Sequence, residues 1–117
     1  MTLRPLRPGA SARDGGAAAL DYEIAQEQVA ALGRAGRALE AALAALTVYS
    51  EANLKAEGDA DAAAGATRAR LVQEASDALW CFIVQREAIG LRDPRPVLRD
   101  YRVPAEVHNR MGAFGRR

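Results

Sequence analysis

The chain runs from Ala17 to Asp93 without a proline, and this 77-residue interval is the feature that most limits how it can fold. Proline is the residue that most strongly breaks an α-helix, so the interval lacks the commonest cause of an early helix end. Alanine, the strongest helix former, is the commonest residue of the chain, and hydrophobic residues make up 50% of it. The sequence therefore predicts an all-α protein in which two long helices fill the interval.

The first predicted helix runs from about residue 17 to about residue 57. Asp21 is a candidate N-cap residue, and Gly58 is a candidate C-terminal stop. Three leucines recur every seven residues, which is typical of a helix that packs along a neighbour at a shallow angle. At 100° per residue, one stripe of the helix surface holds Leu32, Ala35, Gly36, Leu39, Ala42, Leu43, Leu46 and Asn53.

A second helix is predicted over about residues 60–90, after a turn in which Asp59 or Asp61 caps the new helix. Its apolar stripe consists of Leu71, Ala75, Ala78, Leu79, Phe82 and Ile89. Because the two stripes have similar lengths and a short turn joins the helices, we expect a long antiparallel αα-hairpin with the stripes facing each other.

Both ends of the chain differ from the helical interval. The stretch before Ala17 has two prolines, three glycines and no periodicity, which is typical of a disordered tail. Pro94 and Pro104 each begin a short helical segment, and Gly112 ends the second one. The predicted organisation is a tail over residues 1–16, a single helical domain over 17–112 with short segments at 94–101 and 104–111, and a frayed C-terminus over 113–117.

The segment from Ala78 to Val84 is apolar on every side of the second helix. Trp80 and Val84 point away from the stripe that meets the first helix, so something else has to cover them. Either the C-terminal segments fold back over this face or a second subunit buries it, and a ligand pocket is a lesser alternative. The candidate interaction surface consists of Trp80, Val84, Arg99, Tyr101, Arg102 and His108.

Two helices alone cannot enclose a core, because each apolar stripe meets only one neighbour and many stripe positions are alanine, which buries little area. Pairing two hairpins into a four-helix bundle would cover the edges of both stripes. The sequence therefore predicts that the chain pairs with a second copy of itself as a homodimer. An unidentified protein is a further predicted partner.

Catalytic and metal-binding residue types are scarce. Cys81 and His108 are the only cysteine and histidine. A nucleophilic cysteine needs a helix N-terminus or a positive neighbour, whereas Cys81 lies inside a helix between Trp80 and Phe82, which predicts a buried structural cysteine. One cysteine and one histidine cannot complete a zinc site, and no glycine-rich phosphate-binding loop occurs. We therefore expect no catalytic residue, no cofactor and no metal, and predict that the protein is not an enzyme.

Charge is unevenly distributed, although the formal net charge is only +1. Residues 17–63 carry 8 acidic and 3 basic side chains, whereas residues 91–117 carry 7 arginines and 3 acids. The arginine-rich end could contact nucleic-acid phosphates, which makes nucleic-acid association the alternative function, recognisable by a steep loss of binding with added salt. The simpler interpretation pairs the basic end with the acidic first helix, within or between chains.

The sequence also predicts the cellular location of the protein. No apolar run reaches the roughly 18 to 20 residues that cross a bilayer, and no secretory signal is readable near the N-terminus. The single Cys81 excludes an intramolecular disulfide. We therefore expect no contact with a membrane and a cytoplasmic location.

The runs VQREAIGLRD, from Val84 to Asp93, and RDYRVPAEVHNRMG, from Arg99 to Gly112, resemble the C-terminal half of a family of short, uncharacterised bacterial helical proteins. The similarity extends from about Leu20 to Gly112. It implies an all-helical protein of bacterial origin and assigns no activity, cofactor or functional residue. The function is therefore predicted from the residues alone, as a non-enzymatic helical interaction or regulatory module that acts as a homodimer.

Overall fold

A computed structural model describes residues 8–55 and 62–115 of the chain, with side chains over residues 15–54 and 62–111. The helices are α1 (Pro8–Lys55), α2 (Ala62–Ala88), α3 (Arg95–Asp100) and α4 (Ala105–Gly115). No strand occurs in these ranges. The predicted all-α class, with a long hairpin followed by two short helices, is confirmed.

α1 and α2 lie side by side and antiparallel. Near the turn, the Tyr49 hydroxyl donates a hydrogen bond of 2.9 Å to the carbonyl of Ala64, and farther from the turn Gly36 lies against Phe82. The apolar stripes therefore face each other as predicted, because every buried hydrophobic side chain of the two helices belongs to one of them. The buried core consists of Leu39, Leu43, Leu46, Ala75, Leu79, Phe82, Val97 and Val107.

Gly36 makes room for an aromatic pair against α1. A Cβ atom at this position would lie 3.1 Å from the Tyr101 hydroxyl and 3.3 Å from Cε1 of Phe82. The rings of Phe82 and Tyr101 meet edge to face, with centroids 5.3 Å apart, which is a favoured geometry for aromatic side chains. Gly33 has no such role, since a Cβ there would meet only the flexible guanidinium of Arg37.

α3 and α4 add a layer to the hairpin. Val97 of α3 and Val107 of α4 are buried in the same core as Leu79. The Ser76 hydroxyl of α2 is within hydrogen-bond distance of two carbonyl oxygens, that of Val72 on its own helix at 2.8 Å and that of Val107 at 3.1 Å. The only buried polar side chain among the described residues therefore joins α2 to α4.

The molecule is a rod that measures 87 × 24 × 22 Å. Its radius of gyration is 22.2 Å, whereas a compact chain of this length has a value of about 13 Å. α1 has 48 residues and α2 has 27, so at about 1.5 Å per residue they are about 72 and 40 Å long. Counting from the contact of Gly36 with Phe82, the end of α2 comes level with about residue 30 of α1. Residues 15–30, here named the α1 arm, extend beyond it.

The helix ends differ from the predicted ones. α1 begins at Pro8, so the predicted disordered tail is wrong for residues 8–16, which are helical. Proline is well tolerated in a first helical turn, and the alanines that follow offset the cost of the glycine pair at residues 15–16. Asp21 therefore lies in the interior of α1 and is not an N-cap. α4 likewise continues through Gly112 to Gly115, because one interior glycine costs a helix only about 1 kcal/mol.

The two predicted stripes are also shorter than expected, because Asn53 and Ile89 are exposed at the two ends of the hairpin. Other predicted features lie outside the described residues. These are residues 1–7, the candidate cap residues Gly58, Asp59 and Asp61, and residues 116–117.

Gly90 and Arg102 end α2 and α3 with the same backbone motif. Both have a positive φ, 96° at Gly90 and 53° at Arg102. In each case the N–H of the next residue donates to the carbonyl five residues back, at 2.9 Å after Gly90 and 3.0 Å after Arg102. This is the Schellman arrangement, in which glycine is favoured because it has no Cβ.

The left-handed conformation of Arg102 predicts a stabilising substitution. Arg102→Gly is expected to raise the free energy of unfolding by about 1 kcal/mol, or the melting temperature by about 4 °C, because it removes the steric cost of a Cβ at positive φ. Gly90→Ala is expected to lower stability by a similar amount, since the space around Gly90 is open and only its φ opposes a side chain. Thermal unfolding followed by circular dichroism measures both, and the opposite order of the two melting temperatures would contradict the argument.

Candidate interaction surface

Trp80 and Val84 remain exposed on the outer face of α2, with 44% and 36% of their surface accessible. They are one helical turn apart, and Cys81 and Ala88 beside them are exposed as well. We name these four residues the Trp80 patch. α3 and α4 pack beside this face and leave it open, so the expectation that the C-terminal segments cover Trp80 is wrong. Burial by a second subunit stays a prediction.

Cys81 is an exposed thiol, and the expectation that it is a buried structural residue is wrong. At 100° per residue it lies at the edge of the patch that is nearest to Arg70 and Glu74, which form an ion pair of 2.7 Å. This edge is away from the sides of α2 that meet α1 and α4. No group of three or more histidine, cysteine or acidic side chains among the described residues is placed to hold a metal ion. None of the helices of the described ranges is long and apolar enough to cross a membrane.

Tyr101 and Arg102 lie at a different place from the Trp80 patch. Together with Glu40, Leu43 and Asp100 they line a cleft of about 270 Å³ between α1 and the end of α3. Tyr101 is half-buried because its ring packs on Phe82. The structure therefore does not bring these two residues into one surface with Trp80, which faces away from α1.

Arg99 and His108 are exposed. Arg99 donates to the carboxylate of its neighbour Asp100 at 3.0 Å, and Arg95 donates to Asp93 at 3.0 Å in the same way. Two of the four arginines between the end of α2 and the start of α4 are thus matched by an adjacent acid. Arg92 and Arg102 have no ion-pair partner among the described residues. The roles of all six residues of the predicted interaction surface stay predictions.

A bidentate ion pair that the sequence analysis missed holds α4 on α2. Arg68 donates to both carboxylate oxygens of Glu106, at 2.6 and 2.7 Å, and Arg110 donates to Gln73 at 2.6 Å. Both contacts join residues more than 35 positions apart, so no helical spacing could have revealed them. α4 is therefore attached to α2 at both ends of its apolar contact.

Hydrogen bonds lower the pKa of two carboxyl groups. The guanidinium of Arg68 lowers the pKa of Glu106, and the same bond raises the pKa of Arg68. The side chain and the backbone N–H of Arg95 lower the pKa of Asp93 to about 2. Both carboxyl groups are therefore ionised at neutral pH. Asp93 lies just before α3, and Glu106 lies in the first turn of α4.

The Glu106 contact predicts a pH-dependent contribution to stability. A carboxyl whose pKa is lower in the folded state contributes stability above its unfolded pKa, about 4.3, and loses it as the pH falls through the folded pKa. The melting temperature of the natural protein is therefore expected to exceed that of Glu106→Gln at pH 6 to 7, and the difference should shrink below about pH 5. Glu40→Gln removes a carboxylate without an ion pair in the described residues and serves as the control. A difference that is constant between pH 7 and pH 3 would contradict the prediction.

The α1 arm carries four further exposed apolar residues. Leu20, Tyr22, Ile24 and Val29 are between 48% and 65% exposed, which is unusual for four large apolar side chains within ten residues. The arm also carries three acids and no basic residue. Only one of them, Glu27, has an ion pair among the described residues, with Arg34 at 3.1 Å. The arm is thus an apolar and acidic helix without a neighbour.

Comparison with known proteins supplies a family but no activity. No curated protein and no solved structure matches the chain. One family covers nearly all of the sequence, in agreement with the resemblance of the C-terminal runs to uncharacterised proteins. The chain belongs to DUF6665, a family of unknown function, which matches residues 7–117.

Proposed function

We propose that the protein is a non-enzymatic helical module that works as a homodimer and presents its surface to a protein partner. The observation that carries this proposal is the α1 arm, whose four large apolar side chains lie in water beyond the end of α2. Leu20 and Ile24 share one side of the arm, and Tyr22 and Val29 share the opposite side. Large apolar side chains exposed in this way mark interaction sites in soluble proteins, since burying them is favourable by about 25 cal/mol per Å². A cytoplasmic location belongs to the same proposal, because the exposed thiol of Cys81 suits a reducing compartment.

A second subunit would also account for the part of α1 that extends beyond α2. The arm alone cannot gain its helical stability from packing within one chain, and an isolated helical segment of about 15 residues is only marginally stable in water. Association would bury the arm and complete a bundle of more than two helices over that part of α1. Nucleic-acid association through the arginine-rich end stays the alternative function.

Measurement of the molar mass tests the proposal. Light scattering coupled to size exclusion, at micromolar concentration, is expected to report about 25 kDa, twice the chain mass of 12.5 kDa. The variant with Leu20→Asp and Ile24→Asp is expected to report one chain mass, because two carboxylates in the contact oppose burial.

The matched control places the same change elsewhere on α1. Val48→Asp with Leu54→Asp alters two apolar residues outside the arm that are even more exposed, and should leave the dimer intact. A single-chain mass for the natural protein over a hundredfold range of concentration would overturn the proposal. Equal effects of both variants would show that the arm is not the contact.

A further inference from the structure

Two apolar surfaces of the chain lie at the same end of the hairpin. The Trp80 patch occupies the last turns of α2, and the α1 arm leaves the hairpin where α2 ends. A two-fold axis at this end therefore lays each arm along the hairpin of the other copy, antiparallel to its α1 and parallel to its α2. We propose that the α1 arm of one copy docks on the Trp80 patch of a second copy, an inference that rests on the proposed homodimer.

The distribution of charge favours this pairing. The arm has three acids and no basic residue, whereas residues 86–102 have five arginines and three acids. Asp21 and Glu23 on the arm lack an ion pair among the described residues, and so does Arg92, four residues after the end of α2. Docking brings the acidic arm to this net basic end, which favours both the encounter and the orientation of the two copies.

The docking implies a register. Because Gly36 is level with Phe82 within one chain, a two-fold axis placed near residue 28 brings arm residue 19 level with residue 81 of the other copy. Residues 21–27 of the arm then come level with residues 83–89, in which Arg86 and Glu87 offset each other, and the arginine-rich end follows directly. The uncharged tip of the arm, residues 15–19, comes level with Asp77, so the acid on that side of the patch meets no like charge.

Two other placements of the arm are less favourable. Pairing one arm with the other arm would place two acidic helices side by side. An apolar groove of about 540 Å³ between α1 and α2, lined by Ala44, Val48 and Leu71 among others, lies at the turn end of the hairpin. A two-fold axis at the opposite end of the hairpin does not bring the arm to that groove.

The contact can also be large enough. Stable dimers bury about 1,200 Å² or more in total, and the two-fold axis repeats the arm contact, so about 600 Å² in each copy of it suffices. Each contact combines Leu20 and Ile24 on one side of an arm with Trp80 and Val84 of a patch. Tryptophan is among the residue types most enriched at the centres of interfaces.

Trp80 is the only tryptophan of the chain, so its fluorescence reports on the docking directly. Quenching by acrylamide is expected to weaken at least about twofold between the monomer at low concentration and the dimer at high concentration, because docking removes the indole from water. The Leu20→Asp and Ile24→Asp variant should be quenched strongly at every concentration, although circular dichroism shows it folded. The Val48→Asp and Leu54→Asp variant should behave as the natural protein does.

Cross-linking to Cys81 tests the register. Cysteines introduced singly at Ala17, Ala18 and Ala19 sample three directions around the arm, and at least one should come within the roughly 7 Å between Cα atoms that a disulfide allows. Oxidation with copper phenanthroline in air is expected to give a disulfide-linked dimer that disappears when Cys81→Ser is added. Ala63→Cys at the turn end, and the natural protein with Cys81 alone, supply the background.

The outcomes separate the two proposals. A dimer in which Trp80 is quenched as in the monomer, or in which no arm cysteine links to Cys81 above background, would overturn the docking and leave the homodimer standing. A monomer at all concentrations would overturn both. Protection of Trp80 together with linkage from the arm supports the docking.

Discussion

Leu79→Ala is expected to lower the free energy of unfolding by about 3 kcal/mol, within the range of about 2 to 5 kcal/mol seen for leucines truncated in a core. Leu79 has no exposed surface and lies in the core cluster to which α1, α3 and α4 all contribute. Truncation removes apolar contacts with several elements and leaves a cavity that a rigid helical hairpin cannot fill by relaxing.

Urea unfolding followed by circular dichroism measures this effect, at one fixed protein concentration because association adds to stability. Leu54→Ala makes the same substitution at a residue that is 76% exposed and should change stability by less than about 0.5 kcal/mol. Equal losses in the two variants would show that Leu79 is not part of the core.

Val107→Asp is the second change with a large expected effect, a loss of about 3 to 5 kcal/mol. Val107 is completely buried between α4 and α2, where a carboxylate would lose its hydration, and Arg68 of α2 is already engaged by Glu106. The change is expected to detach α4, which uncovers part of the core that Leu79 and Ala75 share.

Amide hydrogen exchange measures the detachment of α4 directly. Amide hydrogen exchange should become fast over residues 105–111 while α1 and α2 stay protected, because local opening needs less free energy than global unfolding. Val48→Asp, at an exposed position of α1, is the control and should change neither exchange nor stability. Unchanged protection of α4 in Val107→Asp would contradict its packing role.

The hairpin could be predicted from the sequence because helical periodicity is a local property. The recurrence of Leu32, Leu39 and Leu46 located the stripe of α1, and Leu39 and Leu46 are indeed buried. Gly90 was expected near the end of the second helix and adopts the positive φ of a helix stop. The ends of α1 and α4 were misplaced, since glycine and proline signals are weak where alanine-rich neighbours favour the helix.

The exposure of the predicted interaction surface could not be predicted from helical periodicity. Trp80 could be recognised as facing away from the first helix, but whether α4 would cover it depended on contacts between residues more than 30 positions apart. Those contacts are the Ser76 hydroxyl with the Val107 carbonyl and the Arg68–Glu106 ion pair, which place α4 beside the patch. Nothing in the local sequence predicts such partners.

Sequence alone thus determined the all-α class, the antiparallel hairpin and the apolar stripes, because each follows from the angular spacing of side chains along one helix. Tertiary structure decided which apolar surfaces stay in water. α1 extends past α2 by the length of the arm, and α3 and α4 pack on the side of α2 that leaves Trp80 exposed. Both facts arise from the relative placement of whole helices, which is set by packing between segments distant in the chain and not by the pattern within any one of them.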